Sequence, residues 1–495
     1  MNRICQIISF CLHRVVYLGL MLCLSVMTGC AVGPDFQAPQ VQVPDAWYGP
    51  TTMPSKESAA SAERNIAERW KVFQDPTLTS LVERAIEGNL NLKLAEARIR
   101  QARAARREAL SDIGPTVNAR GSFQRSSSMV TTSSGGGGPA GPGASQSKTE
   151  EIISDQYEAG FDAIWELDIF GGVRRGVEAA DADLQATVET RRDVLVTLTA
   201  EVARNYIDLC AFQERTLTAR RNLKAQQHSA ELTRQRFQAG FVSSLDVANA
   251  DAQAATTSAQ IPLLEASAQQ AIYSLSVLLG REPAALMQEL SVALEIPAVP
   301  PSVPVGVPSE LLRRRPDIRR AEAEIHAATA RIGVATADLF PKVTLSGSIG
   351  YRASDLDSWF DRISRLWSLG PAVSWQIFDT GRIRSNIEVQ KALEEQSVIT
   401  YQQTVLAALQ EVENALIASA KEQEHRKALA EAVAANQKAV ELATELYTQG
   451  QTDFLNVLQA QRSLYVSEDA LAQSTRTVST NLIALCKALG GGWGS

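Results

Sequence analysis

From Arg382 to Gln449 the chain contains neither glycine nor proline, and from Val173 to Ala239 it contains no proline and no glycine after Gly176. Each tract exceeds 60 residues, which as helix is about 100 Å at ~1.5 Å per residue. Helices of that length are rare in globular domains and point to coiled coils or helical arrays. Both tracts are rich in Ala, Glu, Gln and Arg, good helix formers. Gly240 and Gly450 stop them, as glycine does after a helix C-terminus. Ser243, Ser244 and Asp453 then offer caps for returning helices that run to about Gly280 and Gly490.

The two tracts are copies. A shift of 210 places Trp165 on Trp375, Gly171 on Gly381, Arg174 on Arg384, Phe237 on Tyr447, Gly240 on Gly450, Leu245 on Leu455 and Val247 on Val457. Upstream the shift is 226: Ala95-Glu96-Ala97 meets Ala321-Glu322-Ala323, Ile99 meets Ile325, Pro115 meets Pro341 and Val117 meets Val343. The difference of 16 falls between Pro115 and Trp165, around the tract Gly135–Gly143. Gly/Ser-rich sequence reads as a lengthened flexible loop. The organisation is therefore a first repeat over 75–280, a Pro-rich linker over 281–307, a second repeat over 308–490 and a tail over 491–495.

Each repeat reads helix, two strands, long helix, turn, helix. The opening helix spans roughly Asp75–Asp112, with Leu78, Leu81, Val82, Ala85 and Ile86 at three-four spacing, and Pro308–Leu339 in the second copy. Pro115 and Pro341 end it. Period-two alternation follows. Val343, Leu345, Gly347, Ile349 and Tyr351 oppose Thr344, Ser346, Ser348 and Arg352, and Val117, Ala119, Gly121 and Phe123 oppose Thr116, Asn118, Arg120 and Ser122. A second strand in each repeat sets Tyr157, Phe161, Trp165 and Leu167 against Glu158, Asp162 and Glu166, and Trp367, Leu369, Val373, Trp375 and Ile377 against Ser368, Ser374 and Gln376. A soluble sheet on a core and a membrane barrel both produce this pattern. Four strands cannot close a membrane barrel, and an open edge in lipid leaves unpaired N–H and C=O groups. Either the sheet is soluble or several chains pool strands, two giving eight and three giving twelve.

Residues 1–29 read as a secretory signal: Arg3, His13 and Arg14 precede an apolar run from Val15 to Met27, too short to span a bilayer. Met27-Thr28-Gly29-Cys30 resembles a bacterial lipobox, which implies cleavage before Cys30 and its acylation, palmitate included. Ala31 after it permits sorting to the outer membrane. Residues 30–74 then form a lipid-anchored N-terminal segment. Cys210 and Cys486 read as unpaired thiols within helices, with a disulfide as the alternative in an oxidising compartment.

Forty-eight Lys+Arg against 55 Asp+Glu leave a net charge of −7, the wrong sign for a phosphate-neutralising nucleic-acid surface. Four histidines and six scattered cysteines argue against a metal cluster, and His228, His326 and His425 read as isolated surface residues. Gly135–Gly138 lacks the Lys-Ser/Thr ending of a phosphate loop. No catalytic constellation and no cofactor motif is present, so an enzyme is not indicated.

Cys30-Ala31-Val32-Gly33-Pro34-Asp35-Phe36, Trp165-Glu166-Leu167-Asp168-Ile169-Phe170-Gly171, Arg313-Arg314-Arg315-Pro316-Asp317-Ile318, Leu339-Phe340-Pro341 and Gly240 with Leu245-Asp246-Val247 occur in an order that resembles the lipoprotein branch of the TolC-like outer-membrane efflux proteins (OprM/NodT-like outer membrane factors). The resemblance implies a mainly α fold with a small β part. Long helices form a barrel across the periplasm, and four strands per chain join a twelve-stranded transmembrane β-barrel in a homotrimer. It implies a lipid-anchored channel of the cell outer membrane extending into the periplasm. The channel serves as a passive conduit in a tripartite pump that exports drugs or other small toxic compounds. Its partners are a periplasmic adaptor (membrane fusion) protein, an inner-membrane pump and outer-membrane lipid, with no nucleic acid and no cofactor.

By the same resemblance Asp246 and Tyr447 match periplasmic gate residues, with Asp453 and Asn456 beside them. Thr452 stands where well-known members carry an arginine. Asp246 and Asp453 read equally as helix caps. Gly240, Phe241, Val242, Gly450 and Gln451 face the adaptor, the glycines also serving as turn residues. Six methionines, three of them before Cys30, disfavour a copper or silver route. The competing readings are a channel for protein secretion and a lipid-anchored periplasmic helical scaffold without a pore.

Overall fold

The structure is a computed structural model and describes residues 31–49, 73–133, 147–299 and 308–491. Cys30, residues 1–29 and the Gly-rich tract 135–143 lie outside the described residues. In chain order the elements are α1 (Pro76–Gly88), α2 (Leu90–Ser111), β1 (Thr116–Ser133), β2 (Ser147–Leu167), α3 (Gly172–Gln238), α4 (Ser244–Leu278), the short α5 (Met287–Leu290), α6 (Pro308–Arg314), α7 (Pro316–Ala337), β3 (Lys342–Ala353), β4 (Arg365–Ser374), α8 (Arg382–Thr448) and α9 (Phe454–Ala488). Displacing α3 and α4 by 210 lands on both bounds of α8 and α9; α3 and α8 each have 67 residues, α4 and α9 each 35.

Each opening helix is broken where one continuous helix was expected. At Asn89 the backbone is extended, at φ −59 and ψ 129. Its side chain donates to the Leu278 carbonyl at 2.8 Å and accepts from the Leu92 N–H at 3.0 Å. Gly88 is needed because a Cβ there would lie 2.2 Å from the Leu279 carbonyl oxygen. In the second repeat Pro316 removes a backbone donor and crowds the preceding turn, so α6 ends at Arg314 and α7 begins anew. The strands also differ from expectation. β1 and β2 extend to Ser133 and from Ser147, and β4 stops at Ser374, short of Trp375 and Ile377.

The chain folds into two compact units, each drawing on both repeats. One holds residues up to Gln37, Ala102–Leu184 and Ile325–Gln396. It contains a four-stranded antiparallel sheet in the order β1-β2-β3-β4. The other holds Ala38–Gln101, Gln185–Glu324 and Ser397–Ser495. Its principal core packs Leu78, Leu81, Val82 and Ala85 of α1 against Val202, Tyr206, Ile207 and Leu209 of α3, Ile272 and Leu275 of α4, and Leu482 of α9. The expected apolar face of the first helix is thus the buried one. Tyr206 donates to Asp75 Oδ2 at 2.7 Å, while Asp75 Oδ1 caps α1 through the Thr77 and Leu78 N–H groups. Cys210 is buried beside Tyr206 as a thiol, its pKa pushed up to about 12 chiefly by burial.

Candidate functional site: sheet faces, hairpin tips and N-terminal strap

The sheet register sorts the alternating side chains into two continuous faces. One carries Val117, Ala119 and Phe123 of β1, Tyr157, Phe161 and Trp165 of β2, Val343, Leu345 and Ile349 of β3, and Trp367, Leu369 and Val373 of β4. Among the described residues no core covers it: Val117 is 63%, Phe161 59%, Ile349 59% and Trp367 75% exposed. A soluble sheet would bury these side chains, since apolar area is worth roughly 25 cal/mol per Å². From Val343 to Tyr351 the apolar stretch runs about 27 Å at ~3.4 Å per residue, near the ~25 Å lipid-facing band of outer-membrane barrels.

Aromatic residues bound this band at both ends. At one, Phe123 lies tilted against Tyr157 (4.8 Å between centroids) and Tyr157 against Trp359 (5.9 Å), while Tyr351 meets Phe360 edge-on (5.7 Å). Beyond them the same face turns polar, with Arg125 paired to Asp155 at 2.7 Å and Ser127 donating to Glu151 at 2.5 Å. At the other end the indole N–H groups of Trp165 and Trp375 donate to the carbonyls of Ile113 (2.7 Å) and Leu339 (3.0 Å), and Phe170 stacks on Phe340. Amphipathic rings at two levels flanking an apolar band are the arrangement of membrane–water interfaces. The opposite face is polar: Arg352 bonds Glu158 at 3.0 Å, Asn118 bonds Asp162 at 3.3 Å, and Ser348 bonds Ser368 at 2.8 Å.

The helical hairpins turn at Gly240 (φ +80) and Gly450 (φ +74), left-handed values that favour glycine. Asp246 lies in a capping box. Its Oδ2 accepts from the Ser243 N–H (3.0 Å) and hydroxyl (2.8 Å), and its own N–H donates to Ser243 Oγ (3.3 Å). Asp453 stands at the N-cap of α9 without a side-chain hydrogen bond to the first turn. Asn456 donates to Thr452 Oγ1 at 2.7 Å. Tyr447 is only 3% exposed, packed with Ala230, Ala250, Phe454 and Val457, and its hydroxyl faces Thr233 Oγ1 at 3.4 Å. Phe241 is 79% exposed and Gln451 is exposed, whereas Val242 packs partly against the Tyr447 cluster.

Sequence reasoning passed over Arg236. Its guanidinium lies 4.5 Å above the Tyr447 ring and donates to the carbonyls of Tyr447 (2.6 Å) and Thr448 (3.0 Å). A cation there satisfies orphan carbonyls at the C-terminus of α8 and meets the negative end of its dipole. The available signal was a basic residue in the last turn of α3 where the second repeat has Leu446. The structure thus joins Tyr447 to Arg236 and Thr233, while Asp246 is held by Ser243.

The N-terminal segment forms a strap. Val32 N–H donates to the Phe170 carbonyl at 3.0 Å, and Gly33 backs onto Gly333, where a Cβ would come within 2.5 Å of Gly333 Cα. Arg175, buried, donates to the Val32 carbonyl (3.3 Å), Asp35 (2.6 Å) and Glu178 (2.7 Å). Glu178 also meets His326 Nε2 at 3.0 Å, and the His326 ring stacks on Phe36 at 4.5 Å. His326 is therefore not an isolated surface residue; α7 aims it at the strap. Burial pushes the Glu178 carboxyl up, but the hydrogen bonds from His326 and Arg175 outweigh it and hold it below the usual carboxylate range.

A family model described as "Outer membrane efflux protein" matches residues 81–281 and 307–491. The nodulation protein T of Rhizobium leguminosarum bv. trifolii is 31% identical over 94% of this chain and 96% of its own. The antibiotic efflux pump outer membrane protein ArpC of Pseudomonas putida is 32% identical over 96% and 95%. Among solved structures, the outer-membrane channel OprN superposes with a TM-score of 0.82 at 37% identity, covering 94% of this chain and 100% of that one. The open state of the MtrE outer membrane channel of Neisseria gonorrhoeae gives 0.78 at 28% identity, covering 94% and 99%.

Proposed function

This chain belongs to the outer membrane efflux protein family and is the outer-membrane channel of a tripartite efflux pump; from that membership we propose how one chain serves it. Three copies pool their strands into a twelve-stranded barrel, the polar sheet face lines water, and the long helices form a tunnel. The assembly is a passive conduit without catalysis. Energy and substrate choice come from an inner-membrane pump, joined through a periplasmic adaptor. The cargo class is small organic molecules, in keeping with relatives named for antibiotic and toluene efflux and for pyoverdine export.

The carrying observation, among the described residues, is a four-stranded sheet with an uncovered apolar face and two unpaired edges, β1 and β4. Such edges are too costly in lipid unless another chain closes them. A periplasmic scaffold without a pore gives no reason for an apolar band bounded by aromatics.

Acylated Cys30 anchors the chain, and the strap begins one residue later at Ala31, which lies against Gly171. Asp246, Asp453 and Asn456 line the periplasmic constriction, with Tyr447 packed beneath Arg236 behind them. Gly240, Phe241, Val242, Gly450 and Gln451 meet the adaptor, and the exposure of Phe241 supports that contact. Purified mature protein in planar bilayers should give discrete single-channel currents from a trimeric species. A monomer in mild detergent that conducts nothing overturns the reading.

A further inference from the structure

The internal duplication predicts strand register. In the first hairpin Thr116 pairs with Ile164 and Phe123 with Tyr157. Moving β1 by 226 and β2 by 210 gives Lys342 with Ser374 and Ile349 with Trp367, the pairs that the second hairpin has. The shifts therefore carry register without a slip. Within the chain β2 also pairs with β3, placing Trp165 opposite Leu345, Ala163 opposite Gly347 and Phe161 opposite Ile349. The same displacement turns β2 into β4 and β3 into β1. The resulting contact joins the two edges of the sheet, which one chain does not bring together.

Resting on the assembly proposed above, we infer that β4 of one copy, prolonged by one residue to Trp375, pairs antiparallel with β1 of the next copy, with Trp375 opposite Ala119, Val373 opposite Gly121 and Pro371 opposite Phe123. The occupant of each free edge is a second copy of this chain, and the register is the one its own β2–β3 junction uses. On the polar face Ser374 then meets Arg120, Ala372 meets Ser122 and Ser368 meets Ser126.

Five points support this, the stagger being a consequence of the two shifts. The register keeps apolar side chains on the apolar face, whereas a one-residue slip would turn each to the wrong side. Three of the five pairs on this face set a large side chain against a small one, Trp375 with Ala119, Val373 with Gly121 and Trp367 with Ser127, while Pro371 meets Phe123 and Leu369 meets Arg125. Gly160 and Gly370 are duplicates. A Cβ on Gly160 would meet the Ile349 carbonyl oxygen at 2.6 Å, but one on Gly370 would find nothing within 4 Å, leaving room for a neighbouring strand. Stagger also agrees. Through Ile164, Thr116 aligns with Ser346, four residues beyond its duplicate Lys342; through Ser374, Lys342 would align with Arg120 of the next copy, four beyond Thr116. Equal stagger at every junction lets identical copies close into a ring. On the helices, the Asp183–Arg331 contact of α3 and α7 maps to Leu393 of α8 and Ala105 of the next copy's α2, and Leu393 is 44% exposed in one chain.

The test uses full-length protein in its membrane, with Cys210→Ala and Cys486→Ala as background. Directly opposed residues lie within disulfide reach, and a two-residue offset does not. Ala372→Cys with Ser122→Cys should give disulfide-linked dimer and trimer bands after mild oxidation. Ala372→Cys with Gln124→Cys should give at least tenfold less. Ser368→Cys with Ser126→Cys is a second in-register pair should the first fail to fold. Stronger linkage by the offset pair, or no linkage by either in-register pair in protein that still runs as a native trimer, overturns the register and leaves the channel reading intact. A monomeric wild-type protein in mild detergent removes the underlying reading instead.

Discussion

The two hairpin tips share one backbone and differ in what fastens them. Both turn on a left-handed glycine, and in both the residue after that glycine closes back on the preceding helix: Phe241 N–H donates to the Arg236 carbonyl, Gln451 N–H to the Leu446 carbonyl. Yet Phe237 is 44% exposed, whereas its duplicate Tyr447 is 3% exposed. Arg236 of the first tip reaches across to the second, and its duplicate Leu446 stays at the surface. Ser243 and Asp246 close a capping box; their duplicates Asp453 and Asn456 form none. Duplication supplied one frame twice, and substitution then made one tip the donor and the other the acceptor. The same asymmetry reaches the long helices. Val196 of α3 is buried within one chain while its duplicate Leu406 of α8 is exposed, although Val202 and its duplicate Val412 are both buried.

The largest expected effect is at the strap. Arg175→Ala removes charge-assisted hydrogen bonds to the Val32 carbonyl, Asp35 and Glu178, leaving Glu178 only His326, and should cost about 3 kcal/mol locally. Its duplicate Ser385→Ala should change stability by less than about 0.5 kcal/mol. Limited proteolysis of the N-terminal segment reads the difference; equal cleavage of both variants would remove the strap's special role. Next, Arg236→Leu makes the first tip resemble the second. It loses the contact with the Tyr447 ring and two carbonyl bonds, about 2 kcal/mol together. Hydrogen exchange of the second tip should accelerate, and basal conductance should rise several-fold, with Leu446→Arg doing neither. Unchanged conductance would leave Arg236 a purely structural clasp.

Smaller still is the cap contrast. Asp246→Ala should cost about 1 kcal/mol, whereas Asp453→Ala, with no side-chain bond to lose, should cost less than about 0.5 kcal/mol. Thermal melts of the two variants compare them directly. Smallest is a pH effect. Glu178 is held below its ordinary range in the folded chain, so its contribution is complete above that range and is lost as pH falls through the depressed value. Protease protection of the strap should fade on acidification, and Glu178→Gln should flatten the profile.

Much of this was legible in residue order. Glycine placement marked the bounds of α3, α4, α8 and α9, since a missing side chain acts on its own turn, whereas Pro262 lies inside α4 without ending it. Period-two alternation marked the strand faces for the same short-range reason. The break at Asn89 was missed because a Gly-Asn pair inside a helical pattern is tolerated in many helices. It became a break through a contact with Leu278, far along the chain. His326 was misread as isolated because Glu178, 148 residues away, and Phe36 are brought to it only by packing.

The sequence by itself determined the long helices, the two-faced strands and the repeat whose shifts reproduce strand register. Each of these is set by backbone chemistry and side-chain period within a few residues. Only tertiary structure decided that the apolar sheet face lies uncovered and that Tyr447 is buried beneath Arg236, 211 residues earlier. It also decided that the strap is clasped by Arg175 and His326. Duplicate positions carry the same local instructions, and which of them is buried depends on neighbours that local chemistry does not choose.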